Sequence, residues 1–518
     1  MSWQPEVDEI KRREEMAKQM GGDANVARQH ANGRLTVRER IERLLDQGSF
    51  HETGALAGKA AYIDGELIEF IPSNFVCGTG RINGRRVVVG GDDFTVRGGA
   101  ADAAIGNKMG YSERMARELR LPIIRLVDGT GGGGSVKMLE TMGRTYVPAN
   151  PAWDLVVAAL SEIPVIAACL GPCAGLGAVR VVSSHFSVMV KGVSQLFVAG
   201  PPVVERGVGE KVTKEELGGA HIHAEGSGCV DNEVESEDQA FAQIRNFLSY
   251  LPSNVWQIAS RMENQDDPNR REEDLLSIIP RDRRRSYDVR HLLNLVLDQN
   301  SFFEIGRLYG RPLVTGLARL NGYAVGVLAN DPRQGGGGLD ADGSEKMTRF
   351  VDLCDSFHLP VVNFVDQPGF LIGTRAERQG TARYGARAMA AVYQATVPWV
   401  SIIVRRVFGV AGAAHGNAQA LNFRYAWPSG DWGSLPIEGG VMAAYRREIE
   451  ASSDPNARRQ EIEEMLNKLR SPFRTAEAFG IEEIIDPRDT RPLLCDWVEM
   501  AYELLPARIG VKLRGLRP

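Results

Sequence analysis

Val165 to Ala178 reads VIAACLGPCAGLGA. After Pro164 it begins as an apolar run of the length of one buried strand. Gly171-Pro172-Cys173-Ala174-Gly175 then turns the chain through small residues, and from Leu176 the sequence is again apolar and helix-compatible. A buried strand that runs into glycines leaves main-chain N–H groups at a loop or helix start, where a ligand can approach closely. Such groups suit an anion or a developing oxyanion. A tight turn in an α/β core would use the same residues, and this stretch alone does not separate the two readings.

Repetition favours the first. LLDQGSFHETG (Leu44 to Gly54) returns as VLDQNSFFEIG (Val296 to Gly306). GRINGRRVVV (Gly80 to Val89) returns as ARLNGYAVGV (Ala318 to Val327), an offset of 238 residues. At that offset Gly98-Gly99 meet Gly336-Gly337, Lys108 meets Lys346 and Asp128 meets Asp366; an offset of 234 lays Pro164 on Pro398 and Gly175 on Gly409. Blocks repeated in one order imply two similar α/β domains, residues 1–262 and 263–518. The boundary is set within Leu251 to Arg285, where prolines, Asp266-Asp267-Pro268-Asn269 and Arg281 to Arg285 give a linker composition. Each half then offers two glycine-rich turns after strands: Gly98-Gly99 with Gly175-Leu176, and Gly336-Gly337 with Val410-Ala411. Two N–H groups from separate turns would converge on one oxygen, and two halves would make two such pockets.

The 518 residues are 43% hydrophobic and 25% charged, as in ordinary globular proteins. A net charge of −5 argues against nucleic acid as the partner. Six scattered cysteines without a CxxC pair suggest neither a disulfide framework nor a zinc site, so a reducing cytoplasm and no bound metal are expected. The charged start of the chain lacks the apolar core of a signal peptide, and no uncharged apolar run reaches membrane-spanning length. Periodicity predicts helices over Glu6–Gln19, Thr36–Asp46 (Thr36 as N-cap), Ala100–Leu119 and Ala152–Leu160. It predicts strands over Pro122–Val127 and over Arg85–Val89, the latter after an Asn83-Gly84 hairpin turn.

Over nearly its whole length the chain resembles the carboxyltransferase (β) subunits of biotin-dependent acyl-CoA carboxylases, the propionyl-CoA and methylcrotonyl-CoA carboxylase family. The matching stretches include HANGRLTVRERIERLLDQGSF (His30 to Phe50), DDFTVRGG (Asp92 to Gly99), GPCAG (Gly171 to Gly175) and MVKGVSQLFVAGP (Met189 to Pro201). EELGGAHIH (Glu215 to His223), GSEKMTRFVDLCD (Gly343 to Asp355), VDQPGF (Val365 to Phe370), YAWP (Tyr425 to Pro428) and RSPFRTAEAFGIEEIIDPRDTR (Arg470 to Arg491) continue the series. The resemblance implies two tandem crotonase-like domains, each a β-β-α superhelix, in a homohexamer whose active sites join the N-domain of one subunit to the C-domain of another. It places acyl-CoA on the N-domain and carboxybiotin on the C-domain. It assigns the Gly175 and Leu176 N–H groups to the thioester enolate oxygen, and those of Val410 and Ala411 to the biotin ureido oxygen. Gly98, Gly99, Gly336, Gly337, Gly369, Phe370 and Gly409 would line the cofactor sites. Carboxybiotin would lose carbon dioxide and take the substrate's α-proton, so no side-chain base is needed. No AMKM-type biotinyl-lysine motif or ATP-grasp region is visible, so biotin would come from a biotin carboxylase or carboxyl carrier partner.

This chain departs from that family in three places. GPCAGLGA stands where many relatives read GPCAGGA, and DGTGGGGSVK (Asp128 to Lys137) replaces an SGGARIQEG-like loop. An aspartate common in relatives is Ala413 here, followed by an unusual His415. Gly129, Thr130, Gly131, Ala413 and His415 are therefore the candidate substrate-pocket residues, and the small Ala413 suggests an acyl group larger than acetyl. Two other activities compete. Related decarboxylase subunits run the transfer in reverse on malonyl-type or glutaconyl-type CoA. Gly129-x-Gly131-x-x-Gly134, with Asp154 downstream, fits an NAD-dependent dehydrogenase fingerprint, although Asp154 falls in a helix-like segment. Several side chains stay open between structural and functional roles: Cys173 as core or reactive thiol, His221 and His223 as surface residues or metal ligands, Lys346 as solvated or phosphate-binding, Arg405-Arg406 as ion-paired or anion-binding.

Overall fold

The computed structural model describes residues 2–100, 103–129, 135–150, 152–421, 423–513 and 515–516. Two compact units emerge, Met1–Gln257 together with Gly510–Pro518, and Ile258–Ile509. In the first, one sheet orders its strands His51–Glu52, Phe75–Ile82, Arg85–Asp92, Ile123–Val127, Val165–Cys169, Phe186–Val190 and Asn232–Val234. The first three run antiparallel to their neighbours and every later pair is parallel. Ile123–Val127, Val165–Cys169 and Phe186–Val190 are buried at every residue; Val165–Cys169 is apolar throughout, whereas the other two each bury one polar residue, Arg125 paired with Glu113 at 2.7 Å and Ser187 bonded to Asp231 at 3.0 Å.

The second unit repeats the plan with Phe303–Ile305, Leu313–Leu320, Tyr323–Asn330, Val361–Gln367, Trp399–Phe408, Phe423–Ala426 and Glu483–Ile484; Asp431–Gly433 also pairs with Trp399–Phe408. In both sheets the strands follow chain order without reversal. Neither sheet has the switch point at which a Rossmann fold binds its dinucleotide. Asp154 lies inside the Trp153–Ala159 helix, not at a strand end, so the dehydrogenase reading fails on topology.

The repeat extends to individual hydrogen bonds. Asn83 and Gly84 donate their N–H groups to the Asp46 carboxylate at 2.9 and 2.8 Å; Asn321 and Gly322 do the same to Asp298 at 3.0 and 2.8 Å. Arg38 pairs with Glu52 at 2.8 Å and Arg290 with Glu304 at 2.5 Å. The helix and acid partners recur at an offset of 252, as from Asp46 to Asp298, but the turns recur at 238. The first unit absorbs the difference in the hairpin Gly58–Ile63/Glu66–Pro72, for which the second has only a short connection.

The Val37–Leu44 helix starts at Thr36 through a capping box with Glu39, as the sequence predicts. The expected Ala100–Leu119 helix is shorter, Lys108–Leu119. Gly106 sits at φ 55° and Asn107 caps the helix by accepting from the Gly110 N–H at 3.1 Å, so the preceding residues cannot continue the spiral. The linker-like segment is no tether beyond residue 257. Arg270 pairs with Asp266 at 2.8 Å and donates to the Leu295 and Leu297 carbonyls, and Leu275 is buried in the second unit's core. At the other end, Gly510 N–H donates to Val255 at 2.7 Å, returning the last residues to the first unit. Among the described residues no helix is long and apolar enough to cross a membrane.

Candidate active site

At the end of the Val165–Cys169 strand, Pro172–Ala174 pairs in parallel with Gln195–Phe197 and carries the chain into Gly175. Gly175 has φ 56° and ψ −119°, a conformation that glycine adopts without steric cost. Its N–H donates to the Phe197 carbonyl at 3.2 Å, so it is not the second open donor expected from the sequence. The N–H of Leu176, first residue of the Leu176–Val182 helix, has no partner among the described residues, as the geometry of a helix start requires.

Gly129 joins this turn to the earlier one. Its carbonyl accepts from Ala174 N–H at 3.3 Å, and a Cβ on Gly99 would stand 2.7 Å from the Asp128 carbonyl and 3.0 Å from Gly129 Cα. A side chain at Gly177 would press on the Gly129 carbonyl at 3.3 Å. Gly98-Gly99, Gly129 and Gly175–Gly177 thus meet, while Thr130 and Gly131 lie outside the described residues. Gly98 and Gly99 bring shape rather than donors, since their N–H groups close turns onto Phe94 (3.0 Å) and Val96 (3.2 Å).

The second unit presents its donors more openly. Gly409 lies at φ 62°; Val410 is 58% exposed, and the N–H groups of Val410 and Ala411 have no partner among the described residues. Gly337 N–H closes a turn onto Gln334 at 2.8 Å, and the Gly336 carbonyl accepts from Arg406 Nη2 at 2.7 Å. Gly369 N–H donates to the Gln367 side chain at 3.0 Å, its carbonyl accepts from Leu339 at 3.1 Å, and Phe370 bridges to Leu339. Ala413 and His415 follow the Gly409 turn and line a cavity.

A buried carboxylate sits beneath the turns in each unit. Asp128, fully enclosed, accepts from Arg40 at 2.8 Å, Arg34 at 3.1 Å and Gln29 at 3.0 Å, and its own N–H donates to Asp92 at 3.1 Å. Arg40 also grips Glu237 at 2.7 Å and the Leu170 carbonyl at 2.9 Å. In the second unit Asp366 N–H donates to Asn330 at 3.0 Å, the counterpart of Asp92. Its carboxylate is held by Arg405 at 2.8 Å and Arg406 at 2.6 Å. Because Arg406 holds both Asp366 and Gly336, one guanidinium ties the Gly336-Gly337 turn to the Trp399–Phe408 strand that leads into Gly409. Arg405 corresponds to Gly171 at the offset of 234, where any side chain would overlap the Asp128 carboxylate and Arg34. The two units therefore neutralise the same acid from different directions. Sequence reading missed Arg34, Arg40, Glu237 and Asn330; the doubled Asp128/Asp366 was the signal that pointed to their site.

Burial alone would raise the Asp366 pKa, but the hydrogen bonds and charge of Arg406, then Arg405, hold it on balance below the usual 3.8. A depressed native pKa means stability that is complete above the ordinary value and lost as pH falls through the native one. Asp366→Asn is expected to melt lower at pH 7 and to show a flatter decline in melting temperature below about pH 4. Scanning calorimetry across that range checks this, and unchanged acid sensitivity would remove Asp366 from the account.

The side chains left open by the sequence resolve toward structure. Lys346 donates to the Tyr309 and Leu313 carbonyls at 2.9 and 2.7 Å, neither solvated nor placed for a phosphate. Arg405 and Arg406 are ion-paired to Asp366. Burial pushes the Cys173 thiol well up, with Cys169 Sγ 3.2 Å away, so it is not a poised thiolate. His223 bonds the Leu196 carbonyl at 2.6 Å, and among the described residues no group of His, Cys, Asp and Glu is arranged to hold a metal.

Duplicated sheets of this topology, each followed by a glycine turn over a buried carboxylate, accord with the carboxyltransferase class with crotonase-like domains. The chain belongs to the carboxyl transferase domain family, whose model matches residues 28–509. It is 37% identical over 499 residues to the propionyl-CoA carboxylase carboxyltransferase subunit of Haloferax mediterranei, covering 95% of each chain. It is 33% identical to the methylmalonyl-CoA decarboxylase subunit alpha of Veillonella parvula, covering 93% of this chain and 92% of that one. The solved transcarboxylase 12S, described as a hexamer with methylmalonyl-coenzyme A and methylmalonic acid bound, superposes with a TM-score of 0.87 at 32% identity over 100% of this chain and 97% of its own.

Proposed function

We propose that the protein moves a carboxyl group from carboxybiotin, carried by a biotin carboxylase or carboxyl carrier partner, to the α-carbon of an acyl-CoA of propionyl size or larger. The observation that supports this reading is the matched pair of turns, Gly175-Leu176 and Gly409–Ala411, at equivalent places in a duplicated fold, where among the described residues the Leu176 N–H in one and the Val410 and Ala411 N–H groups in the other have no partner. The first unit would take the CoA thioester and the second the ureido group. Leu176 N–H donates to the thioester oxygen as negative charge builds there on loss of the α-proton, an interaction stronger in the transition state than before it. Val410 and Ala411 N–H groups donate to the ureido oxygen, which gains negative charge as carbon dioxide leaves, and orient the ring. Bound carboxybiotin supplies the carboxyl group and, once this has left, the base. A homohexameric core in the cytoplasm accords with the solved relative's hexamer and with six unpaired cysteines.

The test is transfer of bicarbonate-derived label with the cognate biotin subunit, across an acyl-CoA series of increasing length. Net fixation peaking at propionyl-CoA or beyond is expected. A peak at acetyl-CoA removes the assignment of a roomy pocket to Ala413. Label loss from a malonyl-type CoA, with no net fixation, assigns the decarboxylase direction instead.

A further inference from the structure

The Gly409–Ala413 helix that presents Val410 and Ala411 has little of its own to hold it. Its residues, GVAGA, carry no polar side chain, and no side chain caps its start at Phe408. A single helical turn fixes several backbone dihedrals for very few hydrogen bonds, so it does not persist unaided. Its position must come from the residues that flank it. At one end Phe408, the last residue of the Trp399–Phe408 strand, is held in register with Gly433.

At the other end stands His415. Its Nδ1 lies 2.7 Å from the Gly412 carbonyl, and its main-chain N–H donates to the same oxygen at 3.2 Å. A carbonyl only accepts, so Nδ1 carries the ring hydrogen. The two donors close the last turn of the helix, where carbonyls otherwise lack partners. The turn rests directly on the strand, since a Cβ at Gly412 would stand 2.8 Å from the Val407 main-chain carbon. The His415 carbonyl is fixed in its turn by three buried side chains: Trp399 Nε1 donates at 2.8 Å, Asn363 Nδ2 at 3.0 Å and Ser401 Oγ at 3.0 Å. Three donors more than exhaust the two lone pairs of a carbonyl oxygen. They converge because Asn363 and Ser401 are direct partners in the parallel sheet, and Trp399 lies two residues from Ser401 on the same face. The segment from Phe408 to His415 thus leaves the sheet and returns to it, with the Val410 and Ala411 N–H groups held between two fixed ends.

We propose that His415 is a positioning residue for carboxyl transfer: its ring bond to Gly412, above a carbonyl fixed to the sheet, sets the direction of the Val410 and Ala411 N–H groups. This rests on the carboxyltransferase reading, in which those groups hold the ureido oxygen. The imidazole itself meets no reactant. It spares the donors a search over orientations at the moment charge develops, so its loss is felt in kcat rather than in binding of the CoA ester to the first unit.

Two substitutions separate the bond from the bulk. His415→Leu removes the ring donor, whereas His415→Asn sets an amide N–H close to where Nδ1 lies. In the complete enzyme with its biotin partner, His415→Leu is expected to lose about tenfold to a hundredfold in kcat, with the acyl-CoA dissociation constant and melting temperature little changed. His415→Asn should stay within a few-fold of the wild type. In a Val410→Pro background, His415→Leu should cost much less than it does alone, because one of the donors it aims is already gone. Nitrogen NMR of ring-labelled histidine in the wild type, with the His415 signal assigned by its loss in His415→Asn, should show the hydrogen on Nδ1, and this holds whether or not the leucine variant folds. A hydrogen on Nε2 instead, a His415→Leu enzyme at the wild-type kcat, an asparagine variant no better than the leucine one, or fully additive losses with Val410→Pro would each overturn the proposal. A wild type that shows the expected tautomer but transfers to no acyl-CoA strikes the carboxyltransferase reading itself.

Discussion

Leu176→Pro is expected to fold and to lose about 10²–10³-fold in kcat, with KM for the CoA thioester changing far less. Proline lacks the N–H, and removing one oxyanion donor costs about 3–4 kcal/mol of barrier. The first position of a helix is where proline fits best, since that N–H is never bonded within the helix. The preceding residue is Gly175, already outside the helical region at ψ −119°, so proline's restriction on its neighbour is met in advance. Leu176→Ala keeps the donor and should retain activity within a few-fold. Val410→Pro, at the corresponding turn, should likewise depress transfer. A folded Leu176→Pro enzyme at the wild-type rate would show that the main-chain donor is not used.

Asp128→Ala is expected to destabilise the first unit by about 3–5 kcal/mol, because Arg40 and Arg34 would keep buried charge with one partner gone. That is a large fraction of the roughly 5–15 kcal/mol that holds a typical domain folded. Urea unfolding followed by tryptophan fluorescence measures it, Trp153 and Trp256 both lying in this unit. The exposed Lys191–Glu235 pair is the control; Glu235→Ala should cost less than about 1 kcal/mol. Equal effects at the two sites would mean that the Asp128 cluster is no more than another ion pair.

Much of this architecture is legible without coordinates. Buried parallel strands write themselves as apolar runs, and a repeated Asn-Gly turn with its preceding aspartate reports the same hairpin twice. The family motif GPCAG marks the Gly175 turn, and the internal repeat carries it to Gly409. Reading failed where the partner was distant. Nothing local ties Arg40 to an acid 88 residues on, and nothing local shows that Gly175 N–H already meets Phe197. The segment after residue 257 has a linker's letters because charged and proline-rich residues also serve to cover a core; Arg270 does this by spanning Asp266 and two carbonyls.

The sequence by itself determined the duplication, several of the buried strands and the glycine turns that follow them, since these depend on periodicity and on the steric needs of single residues. Only the tertiary structure decided which N–H groups stay open and how each buried acid is neutralised. Those properties belong to pairs of groups brought together from far along the chain, and hydrogen bonding and burial exist only once both partners are in place.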